Sequence, residues 1–332
     1  MTHTVRILSI DGGGIRGIIP AMFLAEIEQR TGKPISALFD MFAGTSTGGL
    51  LALGLTMPDA DNAGQPRYSA RDIIKLYQEE GSRIFSSQPG RALIEERYPS
   101  GGIETVLQEY FGETMFRDAL GEVLITAYDI QARRTHIFKT RHARAEDSYK
   151  RADHDFPMWQ VARATSAAPT YFEVARLEKD DVPNIMPLVD GGVFANNPAL
   201  CAYVEARKLY PEADILLVSL GTGRLINPLD YDRVKGWGIV EWIRPLLDIV
   251  LDSASNNVEY LLGQILPPEQ YYRFQIQLDR DSEALDNVSA DNIRRLIALA
   301  AIGVQDQRDR LDRVCAALDR LSAPAEGGPT PE

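Results

Sequence analysis

Cysteine and positive charge are both scarce in this chain, and each scarcity excludes a class of protein. The 332 residues include only two cysteines, Cys201 and Cys315, which lack the spacing of a metal site, so we expect two reduced thiols rather than a disulfide or a zinc centre. The 35 Lys and Arg residues against 47 Asp and Glu give a formal net charge of −12. This excess of negative charge argues against nucleic acid polymers as partners, because those need clustered basic side chains.

Long apolar runs are missing as well. No uninterrupted stretch of about 18 apolar residues occurs, which is the length that a transmembrane helix needs. The first residues carry no basic segment followed by a long apolar one, so we expect no signal peptide. The low cysteine content fits a reducing cytoplasm, so we expect a cytoplasmic location. We predict a single domain over residues 1–322, followed by a disordered tail at 323–332 that is rich in Pro, Gly and Glu.

Histidine is also scarce, and the positions of the histidines affect which side chain could act as the base for a serine nucleophile. Gly44-Thr45-Ser46-Thr47-Gly48 follows a short apolar run and precedes a helical segment, which is the context of a nucleophile elbow. In the chain order of α/β-hydrolases, the histidine base comes after the acid. The four histidines are His3, His136, His142 and His154, so none follows residue 154. If Ser46 is a nucleophile, a different side chain must act as its base.

Asp190 is the best candidate for that base. It ends a short predicted strand at 186–190 and precedes Gly191 and Gly192, a position from which an acid can reach across the carboxyl edge of a sheet. An ordinary carboxylate with a pKa of about 4 is a weak base for a hydroxyl, whereas burial would raise its pKa and strengthen it. Two alternatives stay open, namely an ordinary Asp-Gly turn and a triad in which His154 is the base.

A first glycine-rich turn, Asp11-Gly12-Gly13-Gly14-Ile15-Arg16-Gly17, lies between a predicted strand and a predicted helix. Consecutive glycines leave backbone N–H groups unobstructed, and the following helix adds its positive N-terminal end, so this turn suits an anion or a developing oxyanion. Arg16 could add a fixed positive charge or brace the loop. The turn also matches the dinucleotide fingerprint, whose acidic residue is expected about 20 residues later. The nearest acid, Asp40, comes 28 residues after Gly12, so a non-enzymatic nucleotide-binding module remains an alternative.

Predicted strands and helices alternate along the chain, which favours a mainly parallel sheet with helices on both faces. The predicted strands are 5–10, 40–43, 123–128, 135–140, 186–190, 215–220 and 272–278. The predicted helices are 18–30, 49–56, 69–80, 103–111, 157–167, 198–210, 237–262 with an interruption at Pro245, and one or two helices within 289–321. Irregular structure is predicted at 86–102, and a polar connection at 141–155.

The three glycine turns stand in the order DGGGIRG, GTSTGG and DGG. Together with the run at 193–198 and the turn Gly221-Thr222-Gly223, they resemble the patatin-like phospholipase family. The resemblance is specific over residues 5–225 and weak beyond them. It implies a three-layer α/β/α sandwich and acyl-ester hydrolysis of phospholipids or lysophospholipids, without a metal or a cofactor.

The resemblance also implies roles for particular residues. Ser46 would be the nucleophile and Asp190 its general base. The other implied site residues are the oxyanion-hole group Gly12, Gly13, Gly14 and Arg16, and the supporting turns Gly44, Gly48, Gly191 and Gly192. Some bacterial relatives are switched on by nucleotide second messengers in antiviral defence, so a regulated effector with the same chemistry is a further hypothesis. The sequence shows no recognisable messenger site.

The segment 237–247 contains Trp237 and Trp242 with aliphatic residues between them. This composition suits contact with lipid at a membrane interface or around an acyl chain. We favour the alternative that the segment packs in the core or in a homo-oligomer, because apolar helical stripes are usually buried. Transient contact with a membrane surface and homo-oligomerisation both remain open.

Overall fold

The computed structural model describes residues 3–85, 98–179, 182–226 and 228–322. Of the segments predicted to be irregular or disordered, 86–97 and 323–332 lie outside these ranges.

The strands are β1 (Thr4–Ile10), β2 (Met41–Gly44), β3 (Glu122–Asp129), β4 (Arg134–Lys139), β5 (Ala175–Lys179), β6 (Val182–Asp190), β7 (Asp214–Leu220) and β8 (Tyr271–Phe274). The helices are α1 (Ile18–Thr31), α2 (Ile35–Leu38), α3 (Thr47–Thr56), α4 (Ala70–Ile84), α5 (Ser100–Phe111), α6 (Thr140–Ala143), α7 (Ser148–Ala152), α8 (Met158–Thr165), α9 (Gly192–Ala195), α10 (Ala199–Leu209), α11 (Tyr231–Val234), α12 (Ile239–Ile265), α13 (Ala290–Asp306) and α14 (Arg308–Ser322).

All of these strands join one sheet. Its order is β5-β6-β3-β2-β1-β7-β8, with β4 also paired to β3. The pairs among β3, β2, β1, β7 and β8 are parallel, whereas β4, β5 and β6 are joined by antiparallel pairs. Parallel neighbours require crossover connections, and helices supply them here. The predicted α/β class with a mainly parallel sheet is confirmed.

The strands send alternate side chains into two separate cores, as a sheet covered on both faces requires. In β1, Leu8 and Ile10 pack on one face with side chains of α1, α3, α4, α5, α8 and α13. Val5 and Ile7 pack on the other face with α10 and α12. The three layers of the predicted α/β/α sandwich are therefore present.

Strands β2 and β6 both pair with the same edge of β3, and their last residues lie near each other there. Strand β4 occupies the other edge. On the shared edge, Gly44 at the end of β2 pairs with Ile125, and Asp190 at the end of β6 pairs with Ala127. Strand β2 runs parallel to β3, whereas β6 runs antiparallel to it. Both strands therefore end beside Thr126 of β3, which lies between the two paired residues Ile125 and Ala127. The antiparallel direction of β6, which the sequence did not predict, thus brings Asp190 to the end of β2.

Several elements differ from the sequence-based expectation. Strand β5 was not predicted, although its buried Ala175 and Leu177 alternate with polar residues. Helix α12 continues unbroken through Pro245, and the segment 141–155 includes most of α6 and all of α7 rather than a plain connection. Helix α8 begins at Met158, because Pro157 is extended (φ −51°, ψ 140°) and precedes the first turn.

Candidate active site

Ser46 lies in a sharp turn between β2 and α3. Its backbone has φ 54° and ψ −125°, a combination that side-chain-bearing residues rarely adopt, and its N–H donates to Thr165 Oγ1 at 2.8 Å. The turn is also tight, since a Cβ on Gly48 would lie 2.1 Å from the carbonyl oxygen of Ile10. Strain of this kind costs about 1–3 kcal/mol and persists only where the surroundings impose it. The structure therefore has the strand–turn–helix geometry of a nucleophile elbow.

Asp190 is buried, with 4% of its surface exposed, and faces this turn. Its Oδ1 accepts a hydrogen bond from the Gly192 N–H at 2.7 Å, and the carboxylate lines the same cleft as Ser46. Burial raises the pKa of the Asp190 carboxyl to about 6, and the neighbouring Ser46 hydroxyl and Gly192 N–H oppose that rise. The structure thus brings the serine and the aspartate that the sequence singled out to one cleft.

Threonines fix the contact between the two strand ends. Thr45 Oγ1 lies 2.6 Å from Thr126 Oγ1 and donates to the carbonyl oxygen of Ala195 at 2.7 Å. A Cβ on Gly191 would lie 2.2 Å from Thr126 Oγ1, so the turn after Asp190 can pack here only with a glycine. The spacing between the elbow and Asp190 is therefore set by close packing and by buried hydrogen bonds.

The first two glycine carbonyl groups of the glycine-rich turn accept hydrogen bonds within the fold. The Gly12 carbonyl accepts from Thr222 Oγ1 at 2.7 Å and from Asn196 Nδ2 at 3.4 Å. The Gly13 carbonyl accepts from the Arg16 backbone N–H at 3.2 Å. In a trans peptide the N–H points opposite to the carbonyl of the same unit, so the N–H groups of Gly13 and Gly14 point away from these partners.

This geometry changes the set of candidate oxyanion donors. The Gly12 N–H donates to the carbonyl oxygen of Asn196 at 3.0 Å, so it is already used within the fold. Gly13 and Gly14 line the same cleft as Ser46, whereas Gly12 does not. We therefore revise the expectation of three glycine donors and retain Gly13 and Gly14.

Arg16 is buried and braces the turn. Its Nε donates to the Gly13 carbonyl at 3.3 Å, and its Nη1 donates to the Glu283 carbonyl at 3.3 Å. Of the two roles considered from the sequence, the contacts favour bracing, because both donors point at backbone oxygens of the protein. Arg16 does not line the cleft with Ser46.

A buried ion pair anchors the beginning of the glycine-rich turn. The Arg273 guanidinium donates to both carboxylate oxygens of Asp11, at 2.9 and 2.6 Å, and to Ser219 Oγ at 2.9 Å. Arg273 lies in β8, 262 residues from Asp11. Arg273 is not predictable from the sequence as a site residue, because no local pattern connects two residues so far apart.

The cleft that contains Ser46 is mostly apolar. It encloses about 800 Å³, including open solvent at its mouth. Apolar side chains from several helices and loops line it, among them Leu50, Ile84, Phe172, Val193, Leu247 and Leu285. The polar groups of Ser46 and Asp190 lie on this wall together with the Gly13 and Gly14 backbone. Such a site can hold a long apolar group while a polar, reactive group faces the serine.

The histidines lie elsewhere. Among the described residues that line the cleft, none is a histidine. His154 accepts from the Lys139 N–H at 3.3 Å, and its ring stacks on His136 with centroids 5.2 Å apart. Burial lowers the pKa of His154 to about 3. His154 is therefore held within the fold by these contacts, which do not favour the triad alternative with Ser46.

Helix α12 contributes to the cleft and to the surface. Leu247 and Leu251 line the cleft, whereas Ile239 and Val240 at the start of the helix are 83% and 82% exposed. The expectation of core packing is thus wrong for the start of the helix, and packing in a homo-oligomer stays open. No helix of the described residues is both long and apolar enough to span a membrane.

A family model described as patatin-like phospholipase matches residues 8–203, which include the glycine-rich turn, the elbow and Asp190. The chain belongs to the patatin-like phospholipase family. The matched range covers more than half of the chain and ends within α10.

Three curated members of this family illustrate its range. Patatin-like protein 4 of Arabidopsis thaliana is 32% identical, over 89% of this chain and 80% of that protein. The cGAMP-activated phospholipase of Pseudomonas aeruginosa is 34% identical, over 86% of this chain and 84% of that protein. A protein of Solanum tuberosum named "Probable inactive patatin-3-Kuras 1" is 32% identical, over 88% and 84%. Because the family includes members named as active and as inactive, the reaction of this chain must be argued from its own site.

Proposed function

We propose that this protein is a lipid acyl hydrolase that cleaves carboxylic esters of phospholipids or lysophospholipids through Ser46 and Asp190. The observation that supports it most is that Ser46, in a strained turn, and the buried Asp190 carboxylate lie together on the wall of one cleft. A base should have a pKa close to the working pH. The rise of the Asp190 pKa to about 6 moves an ordinarily weak base in that direction.

In the acylation step, Asp190 removes the hydroxyl proton while Ser46 Oγ forms a bond to the ester carbonyl carbon. The carbonyl oxygen becomes an oxyanion, which would accept hydrogen bonds from the N–H groups of Gly13 and Gly14. The tetrahedral intermediate then collapses and breaks the bond to the alcohol oxygen. Asp190 returns its proton to that oxygen, and the alcohol leaves with the fatty acyl group bound to Ser46.

In the deacylation step, water replaces the alcohol. Asp190 removes one proton from the water as its oxygen bonds to the acyl carbonyl carbon, and the same N–H groups hold the second oxyanion. Breaking the bond to Ser46 Oγ releases the fatty acid, and Asp190 returns the proton to Ser46. The sequence of steps starts and ends with a carboxylate and a hydroxyl.

A lipid ester fits the cleft better than a polar substrate does. The walls around Ser46 are mostly apolar, so an acyl chain loses its contact with water when it binds there. The net charge of −12 disfavours substrates that are large polyanions. Membership of the patatin-like phospholipase family supports the same substrate class.

Activation by a nucleotide second messenger is the second candidate, since it concerns regulation of the same chemistry. The relative from Pseudomonas aeruginosa is named a cGAMP-activated phospholipase, and it aligns over most of this chain. We therefore include cyclic dinucleotides in the assay below.

A nucleotide-binding module at the glycine-rich turn has less support. The Ile15 N–H, which follows Gly14 in the turn, already donates to the Leu285 carbonyl oxygen at 2.8 Å. Asp40, the acid nearest to the fingerprint position, accepts from the Arg6 N–H at 2.8 Å and from its guanidinium at 2.6 Å. Both contacts occupy groups that a dinucleotide would need.

The test is fatty acid release from a lysophospholipid and from a diacyl phospholipid in mixed micelles, with and without cyclic dinucleotides. We expect Ser46→Ala and Asp190→Asn to lower the rate by about a thousandfold or more, because dyad members act as a unit. Ser82→Ala, which alters an exposed serine on α4, is the control and should keep the wild-type rate. Full activity of the Ser46→Ala protein would overturn the proposal.

A further inference from the structure

A second cavity lies beside the cleft that contains Ser46. It encloses about 520 Å³, including open solvent, between α3, α4 and α5. Three side chains, Leu50, Tyr77 and Ile84, line both the cleft and this cavity. The two spaces are therefore neighbours, separated only by shared walls.

The side chains that line only the second cavity are largely apolar. They include Ile73, Leu76, Val106, Leu107 and Phe111. Ile73, Val106 and Leu107 are buried, so the cavity reaches into the interior of the α4–α5 layer.

The polar groups on the cavity wall already have partners in the protein. The Asp72 carboxylate accepts from the N–H and the hydroxyl of Ser69, at 3.1 and 2.6 Å. The Tyr68 hydroxyl donates to the carbonyl oxygen of Tyr110 at 2.8 Å. The Tyr77 hydroxyl hydrogen-bonds to Thr47 Oγ1. A ligand in this space would therefore meet hydrocarbon and find few free donors or acceptors.

Leu50, which lines both spaces, also lies close to Ser46 along the chain. Leu50 lies one turn after Ser46 on the same side of α3, since its N–H donates to the Ser46 carbonyl at 3.1 Å. An acyl chain whose carbonyl carbon is bonded to Ser46 passes Leu50 after its first few carbons. From Leu50 the chain can continue along the first cleft or toward the second cavity, because Leu50 lines both spaces.

We propose that the second cavity binds the distal part of the fatty acyl chain and thereby sets the preferred chain length. This inference rests on the proposed function for the identity of the ligand. Leu50, Tyr77 and Ile84 would form the passage, and Leu76 would mark its far side. Burial of each further methylene in such a space increases affinity by about fourfold, from about 0.8 kcal/mol per CH₂, so the cavity favours long chains over short ones.

The kinetic test compares p-nitrophenyl butyrate with p-nitrophenyl dodecanoate. Leu76→Trp places a large side chain in the second cavity from a half-buried position that does not line the cleft. We expect kcat/KM for the dodecanoate to fall by about tenfold or more, the loss of roughly two buried methylenes, and kcat/KM for the butyrate to stay within about twofold. Gln78→Trp, on the exposed face of the same helix, is the matched control and should leave both values unchanged.

Equal losses for both esters in a folded Leu76→Trp protein, or no loss for either, would overturn the proposal. If Leu76→Trp does not fold, Leu76→Ala gives the opposite test, because a larger cavity should raise the ratio of kcat/KM for hexadecanoate over dodecanoate. An unchanged ratio would count against the cavity.

A binding measurement separates this proposal from the proposed reaction. Titration of the Ser46→Ala protein with dodecanoate requires no hydrolysis. We expect saturable binding that Leu76→Trp weakens by about tenfold and Gln78→Trp does not. If the wild type hydrolyses no ester but still binds dodecanoate in this way, the reaction is refuted and the cavity is supported. Absence of binding, or binding that Leu76→Trp does not weaken, refutes the cavity.

Discussion

The backbone N–H and the Nε of Arg16 both donate to the carbonyl oxygen of Gly13, at 3.2 and 3.3 Å. This double contact fixes the peptide between Gly13 and Gly14, whose N–H points the opposite way. A positively charged side chain thus orients a candidate oxyanion donor without lying in the cleft itself.

Replacement of Arg16 should therefore lower turnover more than binding. In Arg16→Met the side chain keeps much of its volume but cannot donate, so the Gly13–Gly14 peptide gains freedom. We expect kcat to fall by about tenfold to a hundredfold, less than the loss of a whole oxyanion donor, with little change in KM. The control is Arg71→Met on the exposed surface of α4, which should change neither constant. A rise in KM with unchanged kcat would show that Arg16 binds substrate instead.

The ion pair between Asp11 and Arg273 should contribute to stability. Arg273→Met would leave the Asp11 carboxylate buried without its partner, so we expect the free energy of unfolding to fall by about 3–5 kcal/mol. In the double variant Asp11→Asn with Arg273→Met no unpaired charge remains, and much of the loss should be recovered. Urea denaturation of the three proteins measures both effects. Additive losses in the double variant would contradict this interpretation.

The pH dependence of hydrolysis should follow Asp190. The carboxylate must be ionised to accept the serine proton, and its pKa is raised to about 6. We expect kcat/KM on a soluble ester to rise by about tenfold per pH unit at acidic pH and to level off above about pH 6. A profile that is flat down to about pH 4 would show that the raised pKa does not control the reaction.

Asp190 should also lower stability at neutral pH. Its folded-state pKa lies above the ordinary value of 3.8, so the unfolded chain loses its proton first as the pH rises. The native state is therefore destabilised progressively from about pH 4 to pH 6, by up to about 3 kcal/mol for a shift of about two units. Asp190→Asn, which can still accept the Gly192 N–H, should be more stable than the wild type at about pH 8 and similar to it at about pH 4.

Urea denaturation of the wild type and of Asp190→Asn at both pH values checks this prediction. The control is Asp61→Asn, which changes an exposed aspartate in the loop before α4 and should show no such pH-dependent gain in stability. A lower stability of Asp190→Asn at both pH values would mean that the carboxylate stabilises the fold.

The parts of the site that the sequence predicted are those encoded locally. Ser46 and the glycine-rich turn each follow a strand and precede a helix, and such contexts are visible in a few neighbouring residues. Asp190 was found by elimination, since the chain has few histidines and none after residue 154. The position of Asp190 beside Ser46 depends on the antiparallel direction of β6, which the local periodicity of the sequence does not reveal.

The supporting residues were missed for a related reason. Thr165 and Arg273 contact the site from distant elements, and each is an ordinary residue in its own segment. The same holds for the Gly12 N–H, which forms a hydrogen bond with a carbonyl 184 residues away and so was wrongly counted as a free donor. Only the assembled sheet shows which backbone groups are already paired.

Covalent labelling with an alkyl fluorophosphonate, followed by peptide mapping, tests the central claim most directly. The account predicts a single adduct on Ser46, with labelling slowed by about a hundredfold or more in Asp190→Asn because the serine loses its base. An adduct on another serine, or labelling of Ser46 at an equal rate in the two proteins, would contradict it.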